Sequence, residues 1–190
     1  MMIAFVNTYT TFYLQVLHGV APLSAGYLFA IQSFMWTAAA LAVAGLPASR
    51  TTALVIAGLA LLMLASAGIA LSVKTGPVFH IAIAIAISGV GIGFINNPAI
   101  QKIIAAAPDD EKQIAGSSVQ TIRNIGMSFG AAAAGTVALS AGLTDDAGHQ
   151  TIAHAMQWVY AVNATIGIFA LAIALLVLRE RSGKPARPWR

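Results

Sequence analysis

The chain has 190 residues, of which 58% are hydrophobic and only 8% are charged. A soluble domain carries about 25% charged residues, so this composition excludes an ordinary soluble fold and predicts a membrane protein. The net charge of +4 is not a nucleic-acid signal, because half of the basic residues crowd into the last dozen positions, as in a juxtamembrane tail. The chain contains no Cys, so neither a disulfide nor a thiolate metal site is expected.

Six apolar segments follow one another along the chain, and each is long enough to cross a hydrocarbon core of about 30 Å as a helix. They cover residues 3–19, 23–46, 52–73, 78–103, 114–141 and 153–178. The breaks between them are short and carry Pro, Gly or charge, which is typical of turns that join antiparallel neighbours. We therefore expect an all-α polytopic membrane protein, with a six-helix transmembrane bundle over 1–178 and a basic cytoplasmic tail over 179–190. No basic residue precedes the first segment, so it is read as a retained helix rather than a signal peptide.

Lys and Arg are distributed very unevenly between alternate breaks. Lys74 is alone on one side, whereas the other side holds Arg50, Lys102, Lys112, Arg123, Arg179, Arg181, Lys184, Arg187 and Arg190. The positive-inside rule then puts both termini in the cytoplasm of a cell-membrane protein. Trp158 and Tyr160 fall near the outer end of the sixth segment, where belt aromatics are expected. The four histidines also fall at outer segment ends, and their spacing matches no metal-ligand motif.

Three segments carry polar side chains at every fourth position, which places them on one helix face. These stripes are Asn7, Thr11 and Gln15 in the first segment, Asn97 and Gln101 in the fourth, and Gln120 and Asn124 in the fifth. An amide in hydrocarbon costs several kcal/mol unless it is hydrogen-bonded or hydrated. Each stripe could therefore fix helix packing through interhelical hydrogen bonds or form the polar wall of a substrate path. Three stripes together favour a substrate cavity.

Arg123 and four glycines are further candidate functional positions. Arg123 lies about 13 Å into the fifth segment, where it could snorkel to the headgroups or act as a gate that pairs with a carboxylate of another domain. Gly89, Gly93, Gly126 and Gly130 are expected to let helices approach closely, because helix association in a bilayer depends on small residues.

Catalytic motifs are missing from the sequence. It contains no HExxH, no phosphate loop and no paired carboxylates within the apolar segments. Ser117 is expected at the cytoplasmic side of the membrane and His154 at the outer side, so a Ser–His nucleophile is not expected either. We therefore expect no enzyme activity and no cofactor.

Two phrases resemble the major facilitator superfamily, in particular the carboxyl-terminal half of its fourteen-helix drug/proton antiporters. FYLQVLHGVAPLSAGYLFAIQSF, from Phe12 to Phe34, is similar to the opening of that half. AAAPDDEKQIAGSSVQTIRNIGMSFGAAAAGTV is similar to its penultimate cytoplasmic loop and helix, with matches at Pro108, Ala115, Gly116, Arg123, Gly126 and Gly130. One departure is GLPASRT, which keeps Gly45, Leu46 and Arg50 of a family loop motif but lacks its Asp.

The resemblance implies half of a major facilitator fold, in which segments one, four and five line a central cavity. The function implied is multidrug efflux of small hydrophobic or cationic compounds by alternating access, with a second six-helix half or a second copy as partner. No carboxylate lies inside a segment, so the titrating acid of a proton antiporter would have to come from elsewhere. The alternative is a membrane interaction protein that does not transport, or a truncated remnant of such a transporter.

Overall fold

The computed structural model describes residues 2–74 and 76–182, and within these ranges the chain is entirely helical apart from its turns. The six α-helices are α1 (Met2–His18), α2 (Pro22–Ala44), α3 (Thr51–Ser72), α4 (Val78–Ala105), α5 (Lys112–Ser140) and α6 (His149–Ser182), with a 3₁₀ turn at Ala48–Arg50. Each helix overlaps one predicted segment, which confirms the all-helical prediction. The predicted boundary at residue 178 falls inside α6, and residues 183–190 of the predicted tail lie outside the described residues.

The helices end where the backbone or its hydrogen bonding changes. Gly19, with φ at +59°, follows α1, and Pro22 occupies the first turn of α2, where its missing N–H costs nothing. The last turn of α5 closes on Gly142, with φ at +92°. There the amide of Leu143 donates to the carbonyl of Ala138, so a Schellman motif satisfies the free carbonyl groups.

The packing of the helices shows an internal symmetry that the sequence hides. The fourth helix packs on α2 and α3, α1 packs on α5 and α6, and α3 packs on α6. These contacts are unchanged when the first three helices are exchanged for the last three, although, among the described residues, α5 also packs on α6 and α2 has no comparable contact with α3. Two three-helix repeats of inverted topology give such a pattern, although the only similarity between their sequences is the polar stripe of segments one and four.

Alternate connections lie at opposite ends of the bundle. At one end the ammonium group of Lys102, near the end of α4, reaches Thr52 at the start of α3. At the other end Leu17, Lys74 and His149 line one crevice. The end that holds Lys102 also holds the turn before α3 and the α4–α5 connection, so it is the basic end. Lys74 is at the opposite end.

Four of the helices have the length and apolarity needed to span a membrane. They are α2, α3, α4 and the first 28 residues of α6, from His149 to Leu176. The remaining two are α1, which has only 17 residues, and α5, which is the least apolar of the six helices. The chain is therefore a polytopic membrane protein by its helices.

Of the two aromatic residues predicted to lie in the interfacial belt near the outer end of α6, one is exposed and one is buried. Trp158 is about half exposed, and its indole N–H donates to Nε2 of His154. Tyr160 is wrongly predicted as a belt residue, because it is fully buried and its hydroxyl is 2.7 Å from that of Thr10 on α1. Because its hydroxyl has a hydrogen-bond partner inside the bundle, Tyr160 does not have to lie at the membrane–water interface.

Candidate functional site

The fifth helix has an unusually exposed first half. No residue from Lys112 to Phe129 is buried, and burial begins at Gly130. Gln120 and Asn124 are exposed, and the Gln120 amide donates to Oδ1 of Asn124 at 3.2 Å. Because an amide facing lipid leaves polar groups without partners, a surface that mixes amides with apolar side chains is suited to water, to substrate or to another protein surface.

Arg123 lies on this half of α5 and connects it to α4. Its side chain is half-buried, and Nη1 donates to Oδ1 of Asn96 over a long 3.4 Å. Asn96 is neutral, so this contact does not pair the guanidinium with an opposite charge. Among the described residues, the polar contact of Arg123 is therefore to a neutral amide, which an approaching anionic group could replace.

In α1 the packing buries Thr10, a neighbour of the polar stripe, rather than Thr11 or Gln15 of the stripe itself. Thr10 is fully buried and bonds to Tyr160 of α6, whereas Thr11 and Gln15 are half-buried. Asn7 belongs to α1, but its side chain lies outside the described residues. The predicted polar face of α1 is therefore half-exposed at Thr11 and Gln15, and the interhelical hydrogen bond is made by the adjacent Thr10.

Asn97 and Gln101 are exposed and turn toward a different part of the molecule. Both line a crevice of about 250 Å³ whose other lining residues belong to α2, α3, α4 and the α2–α3 connection. Among the described hydrogen bonds, none joins either amide to α1 or α5. The structure thus brings Asn96 to Arg123 and Gln120 to Asn124, and it leaves Asn97 and Gln101 beside the crevice.

Two of the four candidate packing glycines contact the backbone of α2. A Cβ added at Gly93 would lie 2.6 Å from the carbonyl oxygen of Trp36, and one at Gly89 would overlap the carbonyl oxygen of Gln32. Gly91, on another face of α4, would bring a Cβ to 2.9 Å from the carbonyl oxygen of Gly58 on α3. On α5, Gly126 is half-buried and Gly130 is buried.

Buried polar pairs hold the helices together at positions outside the predicted polar stripes. Gln32 of α2 donates to Ser88 of α4 at 2.8 Å. Asn163 of α6 donates to Ser66 of α3, also at 2.8 Å, and all four residues are buried. Each stands alone in an apolar run rather than in a stripe. An isolated amide in a long apolar segment is the signal that could have found them, because it needs an interhelical partner.

Comparisons with known proteins agree with these features. The model of the Major Facilitator Superfamily matches residues 1–190. The chain belongs to this superfamily. Members of it are membrane transporters built from six-helix halves with internal repeats, and the exchange symmetry of α1–α3 with α4–α6 fits that architecture.

The curated relatives are much longer than this chain. Two proteins of Mycobacterium tuberculosis, from different strains and each described as a probable multidrug-efflux transporter, are 30% identical over 178 residues, which is 90% of this chain and 36% of theirs. A riboflavin transporter of Clostridioides difficile is 27% identical over 64% of this chain and 27% of its own length. The chain thus spans about a third of the relatives that it matches. No solved structure matches it.

Proposed function

We propose that this chain is one half of an efflux transporter for small hydrophobic or cationic compounds. All six helices would span the cell membrane, with the basic end of the bundle and both termini in the cytoplasm. The fold would comprise the bundle over 1–178 and the basic tail over 179–190. A second six-helix half would complete the transporter, and a second copy of this chain is the alternative partner.

The exposed first half of α5 is the observation that carries this proposal. Ile122 and Phe129 remain 68% and 69% exposed beside the amides of Gln120 and Asn124. Neither lipid alone nor water alone suits such a mixed surface. A partner half together with a hydrated path between the halves suits both kinds of side chain.

The cavity wall in this proposal consists of the polar faces of α1 and α5, with Asn7, Thr11, Gln15, Gln120 and Asn124. Asn97 and Gln101, which the sequence placed in the same wall, line the crevice between α2, α3 and α4 instead. Amides and hydroxyls donate and accept hydrogen bonds without a fixed charge, which suits compounds that share little beyond amphipathic character. The relatives described as multidrug-efflux transporters support this substrate class.

Arg123 has the role of a gate in this proposal. Its only described polar partner is the neutral Asn96, so a carboxylate on the second half could displace that weak contact when the halves close. A charge-assisted pair is shorter and about twice as strong as a neutral one. The halves would then rock around the central site, as alternating access requires.

A vesicle assay tests the proposal directly. The chain is reconstituted with a candidate six-helix partner half, and export of a lipophilic cationic dye is followed under a proton gradient. We expect export that needs both halves. The double variant Gln120→Leu with Asn124→Leu should lose most of it, whereas Gln150→Leu, the same change at the opposite end, should not. Equal export by the two variants, or none by the paired halves, would contradict the proposal.

A further inference from the structure

The crevice between α2, α3 and α4 has the size of a small polar group rather than of a whole drug-like molecule. Its volume is about 250 Å³, whereas sites that enclose drug-sized ligands occupy about 300–1,000 Å³. Its mouth carries the amides of Asn97 and Gln101, and its walls include Val43, Leu46 and Leu54. The lining is therefore polar at one part and apolar elsewhere, which suits an amphiphile.

The charge of the crevice is positive. Lys102 is the one ionisable residue among those that line it. Its Nζ donates to Oγ1 of Thr52 at 2.9 Å, and an ammonium group has two further donors. Arg50 is exposed and immediately precedes Thr51, another lining residue. The carboxylate of Asp109, on the α4–α5 connection, forms its ion pair with Lys112.

The position of the crevice determines which anion is available. It lies at the basic end of the bundle, where α4 ends and α3 begins, and it is bounded by long apolar helices on either side. In a membrane, the anions at that depth are lipid headgroups. Basic pockets between transmembrane helices on the cytoplasmic side are suited to such headgroups.

We propose that this crevice binds an anionic phospholipid. The headgroup phosphate contacts the Lys102 ammonium, with Arg50 adding to the attraction, and the Asn97 and Gln101 amides donate to the headgroup oxygens. The acyl chains follow the apolar wall formed by Val43, Leu46 and Leu54. The site is independent of the transport proposal, because binding of a lipid to it requires neither a second half nor a substrate.

Lipid titration of the purified 190-residue chain in detergent tests the site. Native mass spectrometry measures the first bound lipid for phosphatidylglycerol, for phosphatidylcholine and for soluble glycerol 3-phosphate. We expect phosphatidylglycerol to bind at least about fivefold more tightly than phosphatidylcholine, since one basic residue near an anionic headgroup contributes about a fivefold change in affinity. Glycerol 3-phosphate should bind far more weakly, because it lacks the acyl chains.

Variants separate the charge of Lys102 from its structural contact. Lys102→Gln should weaken phosphatidylglycerol binding about fivefold, and Arg50→Gln should do so by a smaller factor. Lys102→Arg should preserve the preference, and so should Thr52→Val, which removes the Thr52 hydrogen bond and leaves the charge. The control is Lys74→Gln, which removes a Lys at the opposite end of the bundle and should change nothing.

Several results would overturn the assignment. Equal affinity for the two lipids would do so, as would equal losses from Lys102→Gln and Lys74→Gln, because either means unspecific attraction. Glycerol 3-phosphate binding as tightly as the lipid would mean a site for free anions. If Lys102→Gln unfolds the chain, the preference for phosphatidylglycerol over phosphatidylcholine is measured in Arg50→Gln and Lys102→Arg instead. An unchanged preference in Arg50→Gln then contradicts the proposal.

Discussion

The fourth and fifth helices have almost the same length, 28 and 29 residues, and they are packed in opposite ways. The middle of α4 is buried between α2 and α3, with Gly89 and Gly93 against one neighbour and Gly91 against the other. The first half of α5 has no buried residue, although it contains Gly126 and large apolar side chains. Small residues therefore produce close packing only where a facing backbone is present. In our proposal, the exposed half of α5 is the surface that the second half of the transporter covers.

The largest effect should follow from adding one methyl group on α4. Gly93→Ala places Cβ against the carbonyl oxygen of Trp36, and we expect a loss of about 1–3 kcal/mol from overpacking. The matched control is Gly26→Ala on α2, where no atom lies within 4 Å of the added Cβ. Helix propensity makes that change neutral or stabilising by up to about 1 kcal/mol. Reversible unfolding in mixed micelles measures both, and equal effects would contradict the packing of α4.

The buried amide pair between α2 and α4 should contribute less than the glycine contacts. A double-mutant cycle of Gln32→Leu and Ser88→Ala should give a coupling of about 0.6 kcal/mol, the average for hydrogen bonds between membrane helices, and no more than about 1.7 kcal/mol, the maximum found. The same unfolding assay measures it. A coupling near zero would mean that the contact at 2.8 Å contributes no stability.

The contact between α4 and α5 should be weaker again. Arg123→Gln replaces a long hydrogen bond to Asn96, and we expect the free energy of unfolding to fall by less than about 1 kcal/mol. Dye export by the paired halves should nevertheless fall strongly, because the gate charge is lost. Unchanged export would contradict the gate role and would mean that Arg123 only extends its charge toward the lipid headgroups.

The smallest effect on stability should come from the amides of α5. Replacing both Gln120 and Asn124 by Leu removes one exposed hydrogen bond, so unfolding should change by no more than about 0.5 kcal/mol. This double variant should lose dye export while the fold stays intact, whereas Gly93→Ala should lower the stability of the fold. A large loss of stability would show that the amides hold the bundle together.

Much of the fold could be predicted from the sequence because each helix is set by local information. Proline, glycine and charge mark the breaks, and the helix at Pro22–Ala44 begins within one residue and ends within two residues of the predicted segment 23–46. The partners of single polar residues could not be predicted in this way. Gln32 meets Ser88 across 56 residues, and Asn163 meets Ser66 across 97, and no local pattern encodes such pairings.

The candidate site was predictable to a smaller extent. Spacing placed Gln120 and Asn124 on one face of α5, and the structure brings their side chains into contact. It could not place Asn97 and Gln101, since the direction of a face depends on how α4 crosses α2 and α3. Tyr160 was misjudged for a similar reason, because its partner Thr10 is on another helix.

Thiol labelling of α5 tests the central claim that its exposed polar face meets water in the membrane. The chain has no Cys, so single variants can be labelled with a water-soluble maleimide in inside-out vesicles that contain both halves. We expect Gln120→Cys and Asn124→Cys to react within about tenfold of the rate of Ser49→Cys in the α2–α3 connection, because a thiolate forms only where water has access. Leu64→Cys, on the exposed face of α3, should react far more slowly. If the two α5 positions react as slowly as Leu64→Cys, their face lies in lipid or is sealed by protein, and it does not line a hydrated path.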